Sequence, residues 1–227
     1  MNTERIILPL DGMTLEEAMV IVYKTKDKVW GWKVNDLFFE YGTSIITAIK
    51  RFGGRVMADA KLYDIPNTMN NTLNKILLAK ADIITVHMEP GYVPVDKIQA
   101  DKIAGVTILT SMSKKRVNDV YHGVTFEMVE EFIEDAIRLN YGYVVCSGED
   151  LIDNVFNSKI KKICPGIRPQ WSMVADDDQK RITTPTQAVK NGADLLVIGR
   201  PILTAPNMLE ALDKTNKEIE EALKNEL

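Results

Sequence analysis

The chain has 227 residues, of which 45% are hydrophobic and 26% charged, a composition that is ordinary for a soluble globular protein. This length is typical of one large barrel domain. The formal net charge of −4 gives no reason to expect a general nucleic-acid-binding protein, and the sequence contains no run of about 18 apolar residues that could cross a membrane.

The N-terminus and the cysteines indicate a cellular compartment. Residues 1–5 lack the hydrophobic region of a signal peptide and lead directly into an apolar run. Cys146 and Cys164 each lie inside an apolar, strand-like run and lack the spacing of metal ligands, which is typical of small core residues. We therefore expect a reducing, cytoplasmic location.

Short apolar runs alternate with longer amphipathic stretches along the whole chain. The predicted strands are residues 5–10, 29–34, 55–58, 83–87, 105–109, 142–146, 162–165 and 195–198. The predicted helices cover residues 14–23, 43–51, 69–79, 125–139, 186–191 and, as a charged C-terminal helix, 214–227. Strands that alternate with helices of this length form parallel βαβ units. Eight such units predict an α/β fold, a single-domain (β/α)8 TIM barrel over residues 1–227.

Polar or charged residues follow every predicted strand, at the end where a barrel carries its chemistry. Any one of them could be a helix cap or a solvated loop residue, but all eight together indicate a functional rim. In strand order they are Asp11, Lys33, Asp59 with Lys61, His87, Thr110 with Ser111 and Ser113, Ser147, Arg168 and Arg200. We interpret His87 as structural rather than catalytic.

The densest charge on this rim follows the third strand. Residues two apart in a strand point to the same side, so Asp59 and Lys61 project together. Asp64 follows in a turn, and Pro66 stands where the first turn of the next helix tolerates proline. Two carboxylates beside one ammonium keep it cationic and repel any further negative charge. A structural ion-pair network is the alternative interpretation, but clustering at a strand end favours a functional site.

The residues after the last two strands predict a phosphate site. Barrels often bind phosphate at the loops after strands seven and eight. Gly199 would let the backbone approach the phosphate, and Arg200 can hold its oxygens in a bidentate manner. The long polar segment 166–181 has the character of a lid over the barrel mouth, with a disordered surface loop as the alternative.

Residues 59–68 read D-A-K-L-Y-D-I-P-N-T. This segment resembles the active-site motif D-x-K-x-x-D-I-P-N-T of the orotidine 5'-phosphate decarboxylase family. Further blocks resemble the family in the same order: residues 8–11, 32–34, 109–113, 165–169, 178–182 and 197–201. The resemblance covers essentially the whole chain. It implies loss of CO2 from orotidine 5'-monophosphate to give UMP, the last step of pyrimidine biosynthesis, without metal or organic cofactor.

The resemblance also implies catalytic roles. Asp59 would lie against the substrate carboxylate, and Lys61 would stabilise the carbanion at C6 and then protonate it. Lys33 would link Asp59 to the ribose. Asp64 would complete the charge network from the other subunit of a homodimer. Ile65 and Thr68 would also reach across to the partner.

The remaining substrate contacts follow from the same resemblance. Asp11 would hold ribose hydroxyls, and Ser113 would contact the pyrimidine edge with Thr110 close by, although Ser111 stays open as the hydroxyl that meets the base. The phosphate would be held by Gln179, Gly199 and Arg200, together with Arg168. Pro165 would be a further substrate-binding residue. No nucleic acid, membrane or metal partner is implied.

Two other functions stay open at this point. A group of metal-dependent sugar-phosphate enzymes, the hexulose-phosphate synthases and keto-gulonate-phosphate decarboxylases, resembles this family in its barrel and in D-x-K-x-x-D. Its members typically carry an added acidic residue where this chain has residues 65–68, I-P-N-T. A non-catalytic nucleotide-binding barrel is the other candidate, but it would be expected to have lost Asp59 or Lys61.

Overall fold

The computed structural model describes residues 4–91, 99–151, 159–172 and 182–224. Eight parallel strands close into a barrel in which each strand pairs with its neighbour in sequence and β8 pairs with β1. The predicted (β/α)8 architecture is confirmed. The strands are β1 (Ile6–Pro9), β2 (Gly31–Val34), β3 (Val56–Leu62), β4 (Ile83–His87), β5 (Ile103–Val106), β6 (Tyr143–Val145), β7 (Lys161–Cys164) and β8 (Leu195–Val197).

Helices on the outside of the barrel connect the strands. They are α1 (Leu15–Thr25), α2 (Asp36–Tyr41), α3 (Thr43–Lys50), α4 (Pro66–Leu78), α5 (Lys114–Tyr121), α6 (Thr125–Arg138), α7 (Pro185–Lys190), α8 (Arg200–Leu203) and α9 (Met208–Lys224). Short 3-10 helices lie at Ala100–Lys102, Gly148–Leu151 and Gln170–Ser172. Within the described ranges, no helix is long and apolar enough to cross a membrane.

Local sequence signals explain where several helices begin. Thr14 caps α1, where its hydroxyl accepts from the Glu17 amide and the Glu17 carboxylate accepts from the Thr14 amide. Pro66 occupies the first turn of α4 as predicted, a position whose amide has no helical partner in any case. Thr184 caps α7 in the same way, with Pro185 following it.

The barrel has a core on each side of its wall. Alternate strand residues face the helices, and among them Trp32 is buried with its indole nitrogen donating to Thr25. The residues between them face the barrel interior and form a smaller cluster: Ile7, Met57, Ile83, Ala104, Ile163, Leu195 and Val197. The strict alternation of a strand therefore supplies both cores.

The observed elements differ from the predicted ones mainly at their ends. β3 continues to Leu62 instead of ending at residue 58, so the charged residues 59 and 61 belong to the strand itself. Helix α9 starts at Met208, six residues before the predicted residue 214, because Ala211 and Leu212 are apolar and buried. Helices α2, α5 and α8 were not predicted. Most of the predicted lid, residues 173–181, lies outside the described residues.

Candidate active site

A cavity of about 730 Å³ opens at the carboxyl ends of the strands. That volume is in the range of small-molecule sites. Lining residues come from the ends of seven strands, including Met57 and Val197 of the interior cluster. The predicted site residues that line it are Asp11, Lys33, Asp59, Lys61, Thr110, Pro165, Arg168, Gly199 and Arg200. The predicted rim residues after six of the eight strands therefore line one cavity, whereas His87 and Ser147, after the other two, do not.

Four charged side chains are linked by successive ion pairs along one wall of the cavity, and we call this series the charged chain. Lys33 Nζ lies 2.6 Å from Asp11 Oδ2 and 3.1 Å from Asp59 Oδ2. Lys61 Nζ lies 2.5 Å from the same Asp59 oxygen. The order Asp11–Lys33–Asp59–Lys61 alternates in sign, so each inner group is stabilised from both sides.

Burial differs along this chain and decides what each group can do. The side chains of Asp59 and Lys33 are 7% and 11% exposed, whereas that of Lys61 is 36% exposed. The two inner groups are thus enclosed by protein. Lys61 is held by Asp59 on one side and open to the cavity on the other, which suits a group that must meet a ligand.

The inner pair stays ionised despite its burial. Burial by itself raises the pKa of Asp59, but the charges of Lys33 and Lys61 outweigh it and hold that pKa below its ordinary value. Burial lowers the pKa of Lys33, and the charges of Asp59 and Asp11 outweigh that effect and raise it. At neutral pH the site therefore carries a fixed carboxylate between two ammonium groups.

The backbone of β3 is irregular at this point. Lys61 adopts φ of 43°, in the left-handed region that costs a non-glycine residue about 1–2 kcal/mol. The pairing of β3 with β4 shifts between Ala58 and Leu62. This bulge allows Asp59 and Lys61 to reach the same wall of the cavity, as bulges beside functional sites often do.

The ends of β7 and β8 bring the features of an anion site to the cavity. Gly199 is the N-cap residue of α8, and a Cβ at this position would meet Pro9 Cγ at 3.0 Å, so the close approach of β1 favours glycine. Arg200 follows at the cavity wall. Arg168 is buried at 6% exposure and donates from Nη1 to the carbonyl oxygen of Ile167 at 3.1 Å. The fourth predicted phosphate ligand, Gln179, lies outside the described residues.

A family model for "Orotidine 5'-phosphate decarboxylase / HUMPS family" matches residues 4–215. The chain belongs to this family. The resemblance inferred from residues 59–68 and the other blocks is confirmed.

Individual relatives of the orotidine 5'-phosphate decarboxylase family match over nearly their full length. A Desulfosudis oleivorans protein named orotidine 5'-phosphate decarboxylase is 38% identical over 240 residues, covering 96% of this chain and 94% of that protein. A Syntrophomonas wolfei protein of the same name is 36% identical over 237 residues, covering 96% and 98%. The crystal structure of orotidine 5'-phosphate decarboxylase from Pyrococcus horikoshii OT3 matches with a TM-score of 0.77 at 29% identity, covering 95% and 99%.

The second half of the family motif is exposed and does not line the cavity of its own chain. Asp64, Ile65 and Thr68 lie on the exposed surface at the start of α4, where Asp64 Oδ1 accepts from the Ile65 amide at 2.6 Å. Ile65 is 66% exposed and its neighbour Tyr63 is 61% exposed. The motif thus divides into a half at the cavity and a half at the surface.

The hydroxyl groups expected near the pyrimidine have two different positions. Thr110 and Ser111 line the cavity. Ser113 is the N-cap of α5, where its hydroxyl oxygen accepts from the Arg116 amide at 3.2 Å. Which of Thr110, Ser111 and Ser113 contacts the base therefore stays open.

His87 stands at the edge of the site without a contact to its charged chain. Its ring packs edge-to-face on Tyr63, with centroids 5.8 Å apart. Burial is the main reason that the pKa of His87 is lowered, so the ring is neutral at neutral pH. Across the described ranges, no group of three or more histidine, cysteine or acidic residues is placed to hold a metal ion.

Two residues that touch the charged chain were given no role in the sequence analysis. Thr85 donates to Asp59 Oδ1 at 2.9 Å, and Asn35 donates from Nδ2 to the Asp59 carbonyl oxygen at 2.7 Å. The available signal for Thr85 was a hydroxyl inside an otherwise apolar strand, since buried parallel strands are usually continuous hydrophobic runs. Asn35 follows β2 and has no distinguishing signal in the sequence.

Proposed function

We propose that this protein converts orotidine 5'-monophosphate to UMP and CO2. The observation that carries the proposal is the Asp59–Lys61 pair, which lies at the wall of the cavity inside the family's own motif. The relatives at 38% and 36% identity are both named orotidine 5'-phosphate decarboxylase. The description of the family names a second group, HUMPS, beside orotidine 5'-phosphate decarboxylase. The names of these relatives support the decarboxylase activity.

The first chemical step is loss of the carboxylate. The pyrimidine ring would lie in the cavity with its C6 carboxylate against Asp59, whose charge is fixed by two neighbouring lysines. Two carboxylates in contact repel each other, and this repulsion disappears as the C6–carboxyl bond breaks and neutral CO2 leaves. The electron pair of the broken bond stays on C6.

Lys61 would act in the second step. Negative charge on C6 has no electron sink in the ring, so a fixed cation is most useful there as the charge forms. Of the two lysines that line the cavity, Lys61 is the more exposed. It would donate a proton to C6 to give UMP and then regain one from solvent, so that the net reaction consumes one proton and releases one CO2.

Groups away from C6 would supply the binding energy. Arg200 and Arg168, with the backbone at Gly199, line the cavity and would hold the phosphate. Asp11 and Lys33 would hold the ribose hydroxyls. Binding energy from these remote groups can be used to press the substrate carboxylate against Asp59, which raises the rate of the chemical step.

A homodimer with shared sites is part of the proposal. Asp64, Ile65 and Thr68 belong to the family motif but lie on the exposed surface of their own chain. In a dimer, this surface would reach the partner's cavity and add the second carboxylate beside Lys61. The exposed side chains of Tyr63 and Ile65 supply apolar area that such contact would bury.

The competing function is that of the metal-dependent sugar-phosphate enzymes. Residues 65–68, I-P-N-T, offer no carboxylate for a metal at the position where those enzymes typically have one. The test is to incubate the purified protein with orotidine 5'-monophosphate, and separately with a hexulose phosphate and Mg2+, and to identify products by chromatography. Formation of UMP alone supports the proposal, whereas turnover of the sugar phosphate alone contradicts it.

A further inference from the structure

The bulge in β3 leaves one residue of β4 opposite three residues of β3. Ala58 pairs with Ile84 and Leu62 pairs with Val86, so four steps along β3 match two steps along β4. Thr85 is the single β4 residue in this interval. A bulge interrupts the ladder, and the amide and carbonyl groups inside it need other partners.

The Thr85 side chain supplies one of these partners and binds the Asp59 carboxylate at the same time. Its hydroxyl oxygen accepts from the Lys61 backbone amide at 2.8 Å and donates to Asp59 Oδ1 at 2.9 Å. A hydroxyl has one donor and two acceptor positions, so both bonds can form together. Thr85 is fully buried, and its β-branched side chain has few available rotamers. One rigid group therefore joins the backbone of Lys61 to the side chain of Asp59.

Asn35 closes the other side of the bulge. β2 and β3 pair in register through Val34 and Ala58, and Asn35 is the next residue on the β2 side. Its Nδ2 donates to the carbonyl oxygen of Asp59 at 2.7 Å. The side chain of Asn35 thus supplies a hydrogen bond to Asp59, the first residue of β3 beyond its regular pairing with β2.

We propose that Thr85 and Asn35 are positioning residues which hold the bulge of β3 so that Asp59 and Lys61 meet at the reacting carbon. The left-handed backbone of Lys61 is unfavourable for a lysine and needs such support from its surroundings. Thr85 also gives Asp59 Oδ1 a neutral donor, which leaves Oδ2 to the two lysines. This inference rests on the proposed decarboxylase function for its kinetic consequences.

Thr85→Val removes the hydroxyl and keeps the branched shape of the side chain. A displacement of 1 Å at a reacting group can lower the rate on the order of 100-fold. We therefore expect kcat to fall roughly 10- to 100-fold in this variant. KM and the affinity for UMP should change little, because phosphate and ribose are held elsewhere. Thr85→Ser restores the hydroxyl and should recover most of the lost kcat.

Thr107→Val is the matched control. Thr107 is a buried threonine directly after β5, the next strand of the barrel, and its hydroxyl donates to the Val145 carbonyl oxygen at 2.9 Å. The same chemical change therefore removes an equally buried hydroxyl that has no contact with Asp59 or Lys61. We expect Thr107→Val to keep kcat near the wild-type value. An equal loss of kcat in Thr107→Val and Thr85→Val would overturn the proposal.

Amide hydrogen exchange of Lys61 tests the same contact without substrate. In the unliganded protein we expect slow exchange in the wild type and in Thr85→Ser, and faster exchange in Thr85→Val. If the wild type fails to convert orotidine 5'-monophosphate but this exchange pattern is found, the proposed function fails and the bulge contact stands. If the wild type is active and neither kcat nor Lys61 exchange responds to Thr85→Val, the inference is wrong.

Asn35→Ala provides a second variant in case Thr85→Val does not fold. It removes only the bond to the Asp59 carbonyl and leaves the charged chain intact. A fall in kcat at unchanged KM is expected here too. An active wild type whose Asn35→Ala variant keeps full kcat would remove Asn35 from the positioning role.

Discussion

Lys33 and Lys61 approach the same oxygen of Asp59, Oδ2, at 3.1 Å and 2.5 Å. The two lysines differ in what else they meet. Both line the cavity, but Lys33 is mostly buried and also pairs with Asp11, whereas the side chain of Lys61 is the more exposed. This difference separates a lysine that fixes the charge of Asp59 from one that is available for chemistry, and the predictions below follow from it.

Lys61→Ala should abolish turnover and leave the fold intact. Lys61 lies at the rim of the barrel and outside both hydrophobic clusters, so its loss removes the proton donor without opening a cavity in the core. The measurements are the steady-state rate with orotidine 5'-monophosphate and the melting temperature. Near-normal turnover in a correctly folded variant would rule out Lys61 as the proton donor.

Lys33→Met should make the protein more sensitive to acid. The pKa of Asp59 is lowered in the folded protein, so its charge contributes stability above the ordinary value of 3.8, and that contribution is lost as the pH falls through the folded pKa. Removal of Lys33 takes away the leading cause of the lowering. We expect a loss of up to about 3 kcal/mol in the free energy of unfolding at neutral pH, with acid unfolding beginning at a higher pH.

Lys28→Met is the control for that experiment. Lys28 also pairs with an aspartate, Asp213, but both side chains are exposed, at 38% and 56%. Exposed pairs contribute less than about 1 kcal/mol, so this variant should unfold at nearly the wild-type pH. Acid unfolding of both variants is monitored by circular dichroism. If Lys28→Met and Lys33→Met are equally sensitive to acid, the role given to Lys33 is contradicted.

Arg200→Ala should weaken the binding of UMP more than that of uridine. Charge-assisted bonds to a phosphate contribute about 1.5–3 kcal/mol, which corresponds to roughly a 10- to 100-fold loss of UMP affinity. Titration calorimetry with both ligands separates the phosphate contact from a general change in the cavity. The exposed Arg138, on the outer helix α6, offers an Arg→Ala control that should bind both ligands normally. Equal losses for UMP and uridine would exclude Arg200 from the phosphate site.

Mixing two inactive variants tests the shared active site. In a heterodimer of Asp64→Asn and Lys61→Ala chains, one site would carry both changes and the other would carry neither. We expect partial recovery of activity after subunits exchange, although each variant alone is inactive or nearly so. Mass spectrometry of the intact dimer provides the check on exchange. No recovery in confirmed heterodimers would show that Asp64 acts within its own chain or not at all.

The sequence predicted the barrel and most of the site because both follow from short-range patterns. Eight apolar runs of strand length, alternating with amphipathic stretches, specify parallel βαβ units, and the strand ends then define the rim. Asp59 and Lys61 could be placed on one side because alternate residues of a strand face the same way. The two side chains do meet at 2.5 Å, but across a bulge in β3 and with a left-handed backbone at Lys61, which regular alternation does not predict.

The contacts that the sequence did not predict join residues distant in the chain. Thr85 and Asp59 are 26 residues apart in the sequence, and the bulge in β3 brings them into contact. No local pattern in residues 56–62 predicts that shift in register. The cap that Ser113 forms on helix α5 was not predicted either, and its contact with the base, which the family resemblance implies, stays a prediction. Side-chain contacts between strands depend on register, and register is set by packing over the whole barrel.

The most direct test follows the ultraviolet absorbance of orotidine 5'-monophosphate incubated with purified, EDTA-treated protein. We expect the spectrum to change to that of UMP with the wild-type protein and to stay constant with Lys61→Ala. This result would establish reaction, substrate, metal independence and the need for Lys61 in one experiment. A constant spectrum with wild-type protein that still binds UMP would contradict the decarboxylase function and favour a non-catalytic nucleotide-binding barrel.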